Sequence, residues 1–265
     1  MHRFFKDEIN EYDKSISITG EDVNHIKNVL RLSVGDEITV SDGRGRDYIS
    51  AISSFGENEV IADIIDVCDS AAELPADITL FQGMPKGDKM EFIIQKAVEL
   101  GVHDIVPVMM ERTIVKLEDR KREKKTARYQ LIAEAASKQS GRGIIPEVQS
   151  FKSFKEAIQL ASSYDMVLVP YEDARGMSYA RETIDFTAGL VGDGVNLSRA
   201  EGEGTGPAAK KKIAVFIGPE GGFAASEINM AKEIGARIIS LGNRILRTET
   251  AGLTILSILM FNIDN

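Results

Sequence analysis

Phe216-Ile-Gly-Pro-Glu-Gly-Gly-Phe223 and Ser240-Leu-Gly-Asn-Arg-Ile-Leu-Arg-Thr-Glu-Thr-Ala-Gly252 decide the reading of this chain. Each segment begins with an apolar, strand-like run, turns through glycine and leads into a helical pattern. Two such strand–turn–helix units place backbone N–H groups and small residues along one rim of a sheet, where a nucleotide-like ligand can be gripped. The second segment gathers Arg244, Arg247 and Glu249 at its turn. Polar groups on such turns serve function more often than packing.

Working outward, strands and helices alternate from Ile78 onward. Ile78–Gln82 reads as a strand, followed by the turn Gly83-Met-Pro-Lys-Gly-Asp88 and a helix whose apolar face is Met90, Ile93, Ile94, Ala97 and Leu100. Further strands are expected at Ile105–Met109, Met166–Val169, Ile213–Ile217 and Arg237–Leu241. Helices are expected through Ala135, over Ser226–Ile234 and from about Thr250 to Phe261. This alternation predicts an α/β fold with a mainly parallel sheet covered on both faces. Gly192–Lys212 carries five glycines and few apolar residues, and reads as a flexible surface insertion.

Residues 1–70 follow a different rhythm. Short β-branched runs at Ser15–Ile18, Asp36–Val40, Asp47–Phe55 and Glu59–Val67 are separated by turns such as Asp42-Gly43-Arg44-Gly45. One helix interrupts them, with Val23, Ile26, Val29 and Leu30 on one face. A small barrel is expected, joined through the linker Ser70-Ala-Ala-Glu-Leu-Pro-Ala76 to a second domain over 77–265.

Composition narrows the function classes. A single cysteine, Cys68, excludes internal disulfides and cysteine-cluster metal sites, and the three histidines are widely spaced, so no metal is expected. Met1-His-Arg-Phe-Phe-Lys-Asp-Glu8 lacks the apolar core of a secretory signal, and no apolar run is long enough to span a bilayer, so a cytoplasmic protein is expected. The net charge of −9 argues against a nucleic-acid partner at face value. Its distribution softens that objection, because Lys116–Arg128 holds seven basic residues against three acidic ones. Local patches, not the global sum, set phosphate binding.

No P-loop is present, and no G-x-G-x-x-G follows an expected strand. A ligand held by backbone amides and apolar walls remains. Gly83-Met-Pro-Lys-Gly-Asp-Lys-Met-Glu-Phe-Ile-Ile-Gln-Lys-Ala-Val-Glu-Leu-Gly101, Ile217–Phe223 and Leu241–Ala251 together resemble the three motifs of the 16S ribosomal RNA uracil-N3 methyltransferases, a family of the knotted SPOUT superfamily. Met1-His-Arg-Phe-Phe5 and Glu134-Ala-Ala-Ser-Lys-Gln-Ser-Gly-Arg142 match as well, so the likeness covers essentially the whole chain. The main departure is the polar stretch around 192–212, which lies between motifs.

The resemblance implies a trefoil-knotted α/β methyltransferase domain preceded by a small PUA-like β-barrel that binds RNA, in a homodimer. It implies S-adenosylmethionine as cofactor, held by Ile217, Gly218, Pro219, Glu220, Gly221 and Gly222 from one loop and Leu241, Gly242, Ile245, Leu246 and Arg247 from the other. Methylation at uracil N3 requires loss of a weakly acidic proton and stabilisation of an anion spread over O2 and O4. Arg247 suits that anion or the uracil itself. Glu249, Glu220 or a water suits the proton, and either carboxylate suits the orienting of Arg247. RNA contacts are expected from Arg3, Lys86, Arg142 and Arg244, with phosphate contacts from 116–128; Phe4, Phe5 and Phe223 are aromatic platforms or, more often, core. A ribose 2′-oxygen or other-base methyltransferase of the same superfamily, and a non-catalytic assembly factor, are the competing readings.

Overall fold

The structure, a computed structural model, describes residues 2–6, 8–10, 12–114, 118–200 and 210–264. It divides into two units: residues 1–73 with 137–145, and residues 74–136 with 146–265. The segment Ser137–Ile145 therefore belongs with the N-terminal unit, although the sequence gives it no β-rich signature.

In the first unit, alternation of apolar and polar residues builds a sheet from β1 (His2–Phe5), β2 (Ser15–Thr19), β3 (Glu37–Ser41), β4 (Arg46–Phe55) and β5 (Glu59–Asp69), in the order β1-β3-β4-β5-β2. β1 pairs parallel with β3, and the other pairings are antiparallel. Register shifts at Ile49/Ser50 and Ile52/Ser54 mark irregularities of the kind that curl a sheet. Ile16, Ile18, Ile38, Val40, Ile52 and Val60 fill its core together with Phe4. Phe4 sits opposite Val40 and is a core residue, not a stacking platform. The expected helix is α1 (Glu21–Asn24), which continues as a π-helical turn over His25–Leu30. That wider turn rotates the side chains behind it off the α-helical face. Val23 and Ile26 are buried, whereas Val29 is exposed, against the expected stripe.

The second unit carries β6 (Ala76–Gly83), α2 (Lys89–Glu99), β7 (Asp104–Met109), most of α3 (Asp119–Ser140), β8 (Glu147–Val148), β9 (Lys152–Ser153), α4 (Phe154–Ala161) and β10 (Met166–Arg175). α5 (Met177–Ala200), β11 (Lys211–Ile217), α6 (Ala225–Glu233), β12 (Arg237–Ile239) and α7 (Thr248–Ile263) complete it. Its sheet runs β12-β10-β11-β6-β7-β8, with β9 also on β7, and every pairing is parallel. Successive residues of a strand face opposite sides. Ile78 and Leu80 accordingly enter one core with Ile93, Ile94 and Leu256 from α2 and α7. Phe81 enters a second core with Phe154, Phe216 and Ile228 against α4 and α6, where it stacks on Phe216 at 4.4 Å between ring centroids.

The insertion expected over 192–212 is corrected at both ends. Gly192–Ala200 continues α5, and Lys211 and Lys212 open β11. Each glycine costs a helix about 1 kcal/mol relative to alanine, a cost that extension of an already nucleated helix tolerates. Residues 201–209 lie outside the described residues. No helix among the described residues is long and apolar enough to cross a membrane.

Candidate functional site

Parallel strands send their C-terminal ends to one edge, so the segments that follow β6, β11 and β12 emerge together there. Between them lies a pocket of about 630 Å³. All eleven residues expected to hold a cofactor line it: Ile217, Gly218, Pro219, Glu220, Gly221 and Gly222 after β11, and Leu241, Gly242, Ile245, Leu246 and Arg247 after β12. The segment Pro170–Glu172 of β10 and Lys89 of α2 complete much of the remaining wall.

Backbone shape explains two of the glycines. A Cβ on Gly83 would stand 2.7 Å from the Pro219 nitrogen and 2.9 Å from the Ile217 carbonyl oxygen, so only glycine lets β6 run this close to the first loop. Gly242 has φ +116°, a backbone geometry that side chains with a Cβ rarely adopt.

Buried hydrogen bonds then fix the loops. Gln82 Nε2 donates to Thr248 Oγ1 at 2.9 Å, and Thr248 Oγ1 donates to the Gly218 carbonyl at 2.7 Å. This chain ties β6, the first loop and the start of α7 together. From the other side, Arg112 donates to the Gly221 carbonyl at 3.0 Å. Buried Glu227 accepts the backbone N–H groups of Glu111 and Ala224, each at 2.8 Å, joining the end of β7 to the start of α6.

The charges gather around Lys89. Its Nζ lies 2.9 Å from Glu220 Oε1 and 3.5 Å from Glu249 Oε2. Glu220 also accepts the Lys86 backbone N–H at 3.1 Å. Burial disfavours the Glu220 carboxylate, but the Lys89 hydrogen bond and backbone donors outweigh it and hold its pKa below the ordinary carboxylate value. The Glu220 hydrogen bond raises the Lys89 pKa, with the charges of Glu220 and Glu249 adding to it, against a smaller opposing effect of burial. Both groups are therefore ionised near neutrality, and Glu220 is a weak proton acceptor. Glu249 Oε2 is buried, and Lys89 is its ion-pair partner.

Arg247 precedes α7 as its N-cap residue and is exposed on the pocket wall. Glu249 makes its ion pair with Lys89, and no ion pair joins it to Arg247 among the described residues. Lys89 was not singled out from the sequence; it stands in the first motif, three residues after Lys86, but nothing local distinguishes it from a solvated lysine. Thr248, Gln82 and Arg112 likewise become visible only through their partners.

Of the expected RNA contacts, Lys86 and Arg244 are exposed, and Arg244 lines the pocket. Arg3 is held by both oxygens of buried Asp47. Arg142 is corrected outright: its side chain is 4% exposed and forms an ion pair with Glu73. Glu73 Oε1 also accepts the backbone N–H groups of Gly143 and Ile144. This guanidinium anchors Ser137–Ile145 within its unit and is not presented to a phosphate. Phe223 is buried edge-on against Phe154 and Tyr171 and is core as well. Arg120, Lys121 and Lys124 at the start of α3 are exposed, while residues 115–117 lie outside the described residues.

Comparison with known proteins gives this geometry a family. The model of an RNA methyltransferase domain matches residues 72–260, and that of an RNA methyltransferase PUA domain matches residues 18–65. The ribosomal RNA small subunit methyltransferase E of Bacillus subtilis (strain 168) is 35% identical over 268 residues, covering 100% of this chain and 98% of that protein. The enzyme of the same name from Neisseria gonorrhoeae, solved bound to S-adenosyl methionine, is 31% identical with a TM-score of 0.73, over 97% of this chain and 95% of that one. A putative methyltransferase from Legionella pneumophila, in complex with the same cofactor, is 28% identical with a TM-score of 0.71, over 97% and 96%. With likeness spanning both units and the whole length, the chain belongs to the ribosomal RNA small subunit methyltransferase E family of RNA methyltransferases.

Proposed function

We propose that this protein is a homodimeric cytoplasmic enzyme that methylates N3 of one uridine in 16S ribosomal RNA, within the small ribosomal subunit, using S-adenosylmethionine. The observation that carries this reading is the convergence of both glycine loops on one pocket at the C-terminal edge of a parallel sheet. Its volume falls within the range that small-molecule sites use. Ile217, Leu241 and Leu246 offer apolar walls to a flat base, and the loop backbones offer donors and acceptors to its edge.

S-adenosylmethionine would supply the electrophilic methyl group; the chain's own work is positioning and charge control. Arg247 directs its guanidinium to uracil O2 or O4 and stabilises the anion that forms as N3–H is lost. That stabilisation makes the proton acidic enough to pass to solvent. Glu249 pairs with Lys89 and holds the first turn of α7, which carries Arg247 at its N-cap. The N3–methyl bond forms as the methyl–sulfur bond breaks. Lys86 and Arg244, exposed on two of the loops, meet the RNA.

The test is nucleoside mass spectrometry of small subunits lacking this modification after incubation with the protein and S-adenosylmethionine. N3-methyluridine is expected. Methyl on ribose or on another base would move the protein to a different reaction, and cofactor binding with no methylation of any RNA would favour an assembly factor.

A further inference from the structure

Three segments distant in sequence meet at one ammonium. Lys89 opens α2; Glu220 lies on the loop after β11; Glu249 lies in the first turn of α7, directly after the loop that follows β12. Two carboxylates drawn to within 2.9 and 3.5 Å of a common point repel one another unless a cation stands between them. Among the described residues no other cation takes that place, since Arg244 and Arg247 line the pocket without an ion pair to either carboxylate, and Arg112 is turned to the Gly221 carbonyl. Glu172 adds a further negative group to the wall.

We propose that Lys89 is the positioning residue of this site, holding the two glycine loops at their working separation by bridging Glu220 and Glu249. The proposal rests on the cofactor reading above. An ordinary exposed ion pair contributes little, because water and mobile ions do the same work. This one differs in its connections. Glu220 also holds the Lys86 N–H, so the turn after β6 is fixed by the same carboxylate. Glu249 Oε2 is buried and is paired with Lys89, so loss of the ammonium leaves that oxygen without its cation. Removal of Lys89 therefore strains both loops at once, whereas removal of one carboxylate along with it relieves the repulsion.

Calorimetric titration of S-adenosylmethionine into the full chain tests this with the wild type, Lys89→Met, Lys89→Arg and Lys89→Met/Glu249→Gln. At about pH 8, Lys89→Met is expected to bind about tenfold more weakly, the double variant to recover most of that loss, and Lys89→Arg to stay within about threefold of the wild type. At about pH 5.5 the deficit of Lys89→Met is expected to shrink, because a carboxylate deprived of its cation takes up a proton more readily and ceases to repel its neighbour. A Lys89→Met affinity within twofold of the wild type overturns the proposal. So does a loss that neither acid nor Glu249→Gln changes, which would mark Lys89 as a packing residue. If Lys89→Met does not fold, recovery of folded protein in the double variant supports the proposal and failure to recover it overturns it. A wild-type chain that does not bind S-adenosylmethionine overturns the cofactor reading itself, and the proposal with it.

Discussion

Arg247 and Glu249 share a turn in sequence but do different work. Glu249 is drawn to Lys89, leaving Arg247 exposed on the pocket wall. Arg247→Ala is expected to slow methyl transfer by about 10²- to 10³-fold, the usual effect of losing one donor to a developing anion. If apolar walls and loop backbone carry the cofactor as proposed, its affinity is expected to change far less; single-turnover rates on small subunits at saturating cofactor separate the two. Gly83→Ala drives a Cβ into the backbone at Ile217 and Pro219, and is expected to cost about 1–3 kcal/mol in urea unfolding. His103, outside the site, is expected to make stability pH-dependent. Its hydrogen bond to Asp104, with Asp77 nearby, overcomes burial and raises its pKa above 6.5. The resulting stabilisation is fully present below that ordinary value and is lost as pH rises through the folded one. Urea midpoints of the wild type and His103→Gln should therefore converge as pH rises above 6.5. At this scale the glycine loops were plain in the sequence, since turn, apolar run and spacing are local. The commitments of Lys89, Arg142 and Thr248 were not, because each depends on partners far along the chain.

The longer strands of the parallel sheet and α2 were legible because their apolar patterns are strong; their ends shifted by a residue or two, except that β10 runs six residues past the expected Val169. Irregular elements hid themselves. A π-helical turn reads as an ordinary helix until Val29 is found exposed, and α5 persists through a glycine-rich stretch that looks like a linker. Strands of two residues, such as β8 and β9, carry no periodicity at all. The element most exposed to a single change is the start of α7. Thr248→Val keeps the side-chain shape but leaves the Gln82 amide and the Gly218 carbonyl without their shared hydroxyl. A loss of about 1–3 kcal/mol in chemical denaturation is expected. Unchanged stability would show that water replaces the hydroxyl.

For the whole molecule, the division into a β-rich first unit and a parallel α/β second unit followed from the change of rhythm near residue 70. That rhythm does not report the return of Ser137–Ile145 to the first unit, because a helix continues through the boundary and the ties are a buried ion pair and hydrogen bonds to residues far along the chain. Arg142→Met strands Glu73 as an uncompensated buried charge and is expected to destabilise the first unit by about 3–5 kcal/mol, measured by thermal unfolding. The surrounding RNA chemistry depends on one claim, that the two glycine loops grip the methyl donor. A crystal structure of the full chain grown with S-adenosylhomocysteine tests it most directly. The predicted result is an adenine enclosed by Ile217, Leu241 and Leu246, with the sulfur facing Arg247. Ligand density elsewhere on the chain, with this pocket holding only solvent, would contradict it.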